Sequence, residues 1–276
     1  MCFSAAASFT AAGLLLLIGV ISIALVYLKS KPSMSLVQKL ALTPMAALPL
    51  LFGFHQLTEG CIWLDHDNQA AVRSFAYTAY SFWPMYISVS MALVEWTRFQ
   101  QPRNSEESRK QNCFRKLALL PCSLSAKTRR WLLVLNVFIG TALFLVMTVC
   151  LALSEPIYAV VDDGRLDYWF DNDQCHLGEE WYFYLMGAPY LYVVSTSPLY
   201  SSIRLSNVVS LMAVISFAIT VFLWTEQFES TWCYFAAIIS CAALCAVWLE
   251  LKEYPDDNEE QEQDLEQKPD KEESTE

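Results

Sequence analysis

The sequence predicts an all-α protein: a bundle of seven membrane-spanning helices with the N-terminus outside, the C-terminus in the cytoplasm and a disordered acidic tail. Three observations carry this reading. The 276 residues are 55% apolar, above the 45–50% of a soluble domain, and the apolar residues fall in long blocks. Seven of those blocks reach the ~20 residues needed to cross a bilayer. The basic residues gather in alternate connections between them.

The spans are Phe9–Leu28, Leu42–Leu64, Ala71–Trp96, Trp131–Leu153, Trp181–Tyr200, Val208–Thr225 and Ser230–Leu249. The first has no basic segment before it and no small-residue cleavage site, so it reads as a retained span and not as a removed signal peptide. Of 18 Lys and Arg residues, 16 lie before span two, between spans three and four, between five and six, or after span seven. Only Arg73 and Arg165 fall on the other side. Positive charge marks the cytoplasmic face, which sets the orientation and requires an odd number of spans. Trp63, Trp169, Trp181 and Trp224 lie towards one face and Trp96, Trp131 and Trp248 towards the other, as interfacial belts do.

The net charge of −11 is concentrated at one end: residues 250–276 hold 13 Asp or Glu and 3 Lys. Residues 1–253 form the membrane domain, and residues 254–276 are too poor in apolar groups to order themselves. The connection Glu155–Glu180, with Asp162, Asp163, Asp167, Asp171, Asp173, Cys175 and His176, reads as a solvated acidic loop. Between Thr97 and Arg130, the run Cys113–Leu120 is amphipathic and suits the inner leaflet surface. The nine cysteines form no CxxC pair and no zinc spacing. Neither a metal nor another cofactor is expected, and nucleic acid is not an expected partner; the bilayer is.

Span two carries the chemistry. In Leu48–Trp63, LPLLFGFHQLTEGCIW, an ionisable side chain costs about 2.5–3.5 kcal/mol at the helix centre, so it faces a bundle interior or a cavity. His55, Glu59 and Trp63 are spaced one turn apart, with Gln56 three before Glu59. Gly53 and Gly60 permit close approach of a neighbouring helix. Span three adds Tyr80, Trp83 and Tyr86, and Pro84 frees a carbonyl near residue 80. Pro189 does the same near Leu185 in a tyrosine-rich span five. The candidate ligand- or proton-binding residues are thus Glu59, His55, Gln56, Trp63, Tyr80, Trp83 and Tyr86, and none is assigned a catalytic role. The bland reading is that these groups only hold helices together.

Three stretches resemble a family of bacterial membrane proteins defined only as a domain of unknown function: the opening MCFSAAASF, then PLLFGFHQLTEGCIWL at residues 49–64, and FWPMYISVSMALVE at residues 82–95. The second is similar to that family's Phe-Gly-x-Gln-Gln-x-x-Glu-Gly-x-x-Trp pattern, with His55 where the pattern usually has Gln. STWCYFAAIIS at residues 230–240 looks like the family's last helix. The resemblance implies a multi-pass protein of the bacterial inner membrane and no particular activity. The expected function is transport or sensing of a small polar solute, ion or proton through a cavity around Glu59. The alternatives are a membrane-embedded, hydrolase-like enzyme using Glu59, His55 or Cys2, and a structural or assembly protein. An enzyme is the less expected of these, because no nucleophile–base pair is evident. A zinc amidohydrolase needs several His ligands inside the bundle, where only His55 lies.

The orientation is checked by labelling whole cells with a membrane-impermeant thiol reagent. Cys175 should react from outside, and Cys113 and Cys122 should not; outside labelling of Cys113 would reverse the topology.

Overall fold

The computed structural model describes residues 4–98, 125–154, 156–162, 165–170, 180–203, 205–223 and 228–252. The acidic tail, the run Cys113–Leu120, Cys2 and residues 171–179 lie outside the described residues. The described residues are helical apart from one β-hairpin. Its elements are α1 (Ala5–Leu28), α2 (Leu36–Ala46), α3 (Leu48–Leu64), α4 (Gln69–Ala76), a π-helical turn (Tyr77–Phe82) and α5 (Trp83–Arg98). Then follow α6 (Ala126–Leu153), β1 (Ile157–Asp162), β2 (Arg165–Phe170), α7 (Glu180–Tyr200), α8 (Ser206–Leu223) and α9 (Phe228–Lys252).

Each of the seven apolar blocks coincides with a helix or a run of consecutive helices. Four helices are long and apolar enough to cross a membrane: Ala5–Leu28, Leu36–Leu64, Lys127–Leu153 and Phe235–Lys252. The helices extend past the apolar blocks at several ends. α1 starts at Ala5 because Ser4 caps it, accepting from Ala7 N at 3.2 Å. α2 starts at Leu36 because Ser35 and Gln38 form a capping box. α6 starts at Ala126 because Ser125 accepts from Thr128 N at 3.1 Å. Polar caps at these ends lie outside a hydropathy window.

The distribution of side chains is inside-out relative to a water-soluble protein. Phe138 is 76% exposed and Phe222 85% exposed, and Leu14, Leu17, Leu145 and Val149 also face outwards. The interior instead holds Ser22, His55, Gln56, Glu59, Ser88, Ser90, Glu95, Asn136 and Ser197, all buried. Soluble domains do not expose apolar surface on this scale. Trp96, Trp131 and Trp248 are all exposed, and Lys252 lies 5.2 Å over the Trp248 ring; these are the tryptophans the sequence puts at one interface.

The α1–α3 crossing organises the bundle. The buried residues of α1 are Ser8, Ala12, Leu15, Gly19, Ser22 and Val26, alternately four and three apart, the seam of a left-handed pair. On α3, Pro49, Gly53, Gln56 and Gly60 make the matching stripe. A Cβ on Gly19 would collide with the Leu50 backbone nitrogen, one on Gly53 would sit 2.8 Å from Leu16 Cγ, and one on Gly60 2.8 Å from Phe9 Cε1. Gly53 and Gly60 therefore do what their positions predict, and α1 is the helix they admit.

One expectation fails. The connection Glu155–Glu180 is not simply a solvated acidic loop, because it folds back as an antiparallel hairpin pairing Ile157 with Phe170 and Asp162 with Arg165. Ile157, Ala159 and Leu166 are buried against Ile62, Val72, Phe75 and Leu151, while Tyr158 and Val160 point away. The signal was present in the sequence. Asp163-Gly164, between two alternating apolar runs, is the strongest short-range hairpin signature, and the run of acidic residues obscured it.

Gly53→Leu should lower stability by about 1–3 kcal/mol through overpacking against α1. Gly187→Ala, inside α7 where an added Cβ meets nothing within 4 Å, should keep or raise stability, by up to about 1 kcal/mol. Thermal unfolding in detergent compares the two.

Candidate functional site

α3 presents two buried stripes. One is the glycine stripe on α1. The other is Leu48, Phe52, His55, Glu59 and Ile62, spaced four, three, four and three, and it faces α4, the π-turn and α5. Gln56 belongs to the first stripe and Glu59 to the second. His55 is 1% exposed, and Gln56 and Glu59 are 0% exposed.

His55 is held on every side. Its Nδ1 lies 2.7 Å from Thr78 Oγ1 in the π-turn. The imidazole stacks on Phe75 at 4.3 Å between centroids, and Phe75 stacks in turn on Tyr168 of β2 at 4.5 Å. Its edge meets Phe52 and Trp83, which stack on each other at 3.8 Å. A continuous aromatic column thus runs from the hairpin to the start of α5.

Thr78 Oγ1 also lies 2.9 Å from Ser74 O and from Phe75 O. The hydroxyl has one hydrogen to donate and lone pairs with which to accept, so it can serve His55 Nδ1 in either role.

The π-turn has a local cause. Pro84 has no N–H to continue the ladder, and the wide turn ends two residues before it, at Phe82. The carbonyl five residues back is that of Ala79, and it accepts from Tyr190 Oη of α7 at 2.9 Å. The freed carbonyl expected near residue 80 is therefore real, and a tyrosine from span five answers it. The α2–α3 junction repeats the device: Pro44 O, beside the break that precedes Pro49, accepts from Tyr86 Oη at 2.7 Å. Gly140 lets α6 approach this region, since a Cβ there would lie 2.7 Å from Pro84 O.

The seven candidate residues thus divide by position. His55, Trp83 and Tyr86 are contiguous: Trp83 meets His55 at 6.2 Å and Tyr86 at 6.4 Å between ring centroids. Trp63 and Tyr80 belong instead to the cluster under the hairpin, with Ile62 and Phe75. Glu59 lies one turn from His55 and Gln56 on the adjoining stripe. Two cavities flank the group. A groove of about 270 Å³ is lined by His55, Thr78 and Trp83. A narrower apolar one of about 70 Å³ runs from Trp83 and Trp232 towards Met91 and Ala246. Glu59 lines neither.

Sequence reasoning missed a second buried carboxylate. Glu95, 1% exposed, accepts from Ser202 N at 2.8 Å and from Ser202 Oγ at 2.7 Å, with Arg129 Nη2 at 3.8 Å from its other oxygen. It ties α5 to the α7–α8 junction and to the start of α6. The signal was available, because Glu59 and Glu95 are the two carboxylic residues that fall inside the predicted spans. Asn136 similarly joins α6 to α7, donating to Thr196 and Ser197. Among the described residues, no group of three or more His, Cys, Asp or Glu is placed to hold a metal ion.

Comparison of the chain with protein-family models, with curated proteins and with solved structures found no match. The roles of these residues therefore rest on their own geometry.

Tyr190→Phe removes the donor to Ala79 O while keeping the ring. It should cost about 0.6–2 kcal/mol, the range for interhelical hydrogen bonds in membranes. Thermal unfolding of the variant reads this directly, and an unchanged midpoint would show that the carbonyl finds another donor.

Proposed function

We propose that this chain crosses the bacterial inner membrane seven times, N-terminus outside and C-terminus in the cytoplasm, and transports or senses a small polar solute, ion or proton through the buried polar set around Glu59. The bilayer is its constant partner. The observation that carries the reading is Glu59 itself: a carboxyl at 0% exposure on an apolar helix, one turn from an equally buried imidazole. Intramembrane ionisable groups are costly and mark ion, proton or ligand sites. The inside-out surface and the coincidence of apolar blocks with helices support the membrane placement, and the 16:2 partition of basic residues supports its direction.

The geometry also supplies places for movement. The α2–α3 break and the π-turn interrupt the helical ladder, and both adjoin α3. π-turns occur frequently at functional sites, and sharp changes of helix direction concentrate at such interruptions. A shift at either would alter the surroundings of His55 and Glu59 without unfolding the bundle.

Glu59→Gln and Glu59→Leu test the role. In the transport or sensing reading, Glu59→Gln should unfold at the wild-type temperature yet lose solute- or pH-dependent signal in reconstituted vesicles. If Glu59 only fastens helices, Gln should serve as well as Glu, and Leu should cost about 0.6–2 kcal/mol of stability. A fully responsive Glu59→Gln protein would exclude the charge-based mechanism.

A further inference from the structure

We infer that the end of the bundle carrying Lys29, Lys39, Lys127 and Lys252 is a docking surface for the chain's own acidic segment, residues 253–276, which is held there by charge. The inference rests on how the helix ends are grouped, and neither on the membrane placement nor on any role of Glu59.

The fold brings these lysines to one end. Lys29 caps the end of α1, and Lys39 lies in the first turn of α2 just beyond it. α2 packs on α5, and Pro44 late in α2 is bonded to Tyr86 early in α5. The two helices therefore run antiparallel, and α5 ends beside the start of α2. Glu95, near that end of α5, meets Arg129 in the first turn of α6, the turn that also holds Lys127. Leu251, at the end of α9, belongs to one core cluster with Val26 of α1, Met34 and Val94 of α5. Besides the four lysines, this end holds Lys31, Arg129 and Arg130, against Glu95 and Glu250 among the described residues. Lys29, Lys127 and Lys252 are exposed and Lys39 is half-buried. None of these four lies within ion-pairing distance of a described carboxylate.

The segment that leaves this end has the opposite charge. The 24 residues after Lys252 hold 12 Asp or Glu and 2 Lys. A flexible coil of that length spans at least about 25–30 Å, and like charges extend it further. From α9 to α6 by way of α2 and α5 is three helix spacings of about 8–10 Å each, so each lysine of the rim is within reach. Tethering holds the segment at an effective concentration on the order of millimolar. A single exposed ion pair contributes little, but a dozen carboxylates on one tethered strand act together. A lipid headgroup competing for the same lysines brings its charge singly and untethered, which favours the segment as the occupant.

The test is zero-length carbodiimide coupling of full-length protein in micelles of a neutral detergent, with the products mapped by mass spectrometry. The reagent joins a carboxylate to a lysine amine only where the two touch. Ordinary and isotope-labelled protein are mixed, so that a bond within one copy is told from a bond between copies. Carboxylates of residues 256–276 should couple to Lys29, Lys39 and Lys127 within one copy. Raising the salt from about 0.05 to 0.5 M should lower that yield at least about fivefold relative to coupling at Lys268 within the segment, because screening shortens to a few Å. Adding phosphatidylglycerol should leave most of the yield in place. Absence of coupling at the lower salt, or a yield that salt leaves unchanged, would overturn the inference. So would coupling confined to Lys110 and Lys116 of the α5–α6 connection, or found only between copies. Loss of coupling on adding phosphatidylglycerol would make anionic headgroups the occupant and overturn it as well.

Discussion

Away from water, a backbone carbonyl without a donor has no cheap substitute, and that constraint shapes the centre of this bundle. Pro84 withholds an N–H, and the helix before it widens into a π-turn whose Ala79 carbonyl is met by Tyr190 from a different helix. Near Pro49 the same role falls to Tyr86, which meets Pro44 O. Each tyrosine joins two elements at a point where one of them is interrupted. The tyrosines and prolines are best understood as pairs, with Tyr86 spoken for by the fold before any ligand is considered. The widened turn also holds Thr78, whose hydroxyl lies 2.7 Å from His55 Nδ1.

Close approach and polar fastening divide the remaining work. Where α1 meets α3, glycine and serine bring backbones together and leave little room for side chains. Packing of this kind replaces the hydrophobic drive that lipid removes. Elsewhere, helices are joined by side chains that reach backbone or hydroxyl groups, as Glu95 reaches Ser202 and Asn136 reaches Ser197. Glu95 and Glu59 are chemically the same and differ in setting. Glu95 sits at a helix end with Arg129 nearby and has a structural account in its bonds to Ser202. Glu59 lies within α3, on the stripe shared with His55.

Trp83 links the two cavities. It stacks on Phe52, meets the edge of His55, and contributes to the walls of both the lateral groove and the central apolar space.

Hydropathy, charge and spacing are enough to place all seven helical segments, to put Glu59, His55 and Gln56 inside, to assign Gly53 and Gly60 to a helix contact and to anticipate the carbonyl freed by Pro84. These depend on patterns within one segment, repeated every three or four residues, and such patterns survive without knowledge of the fold. The hairpin was also written locally, in Asp163-Gly164 and its alternating flanks, but its acidic composition masked it. Other features have no local signature. That His55 meets Thr78 twenty-three positions on and that Glu95 finds Ser202 107 positions on both depend on which helices lie side by side. Apolar faces are interchangeable in lipid, so hydropathy says that each helix must be covered and not by which other one. Steric fit at glycines and the demand for hydrogen-bond partners make that choice, and they act only once the chain is folded.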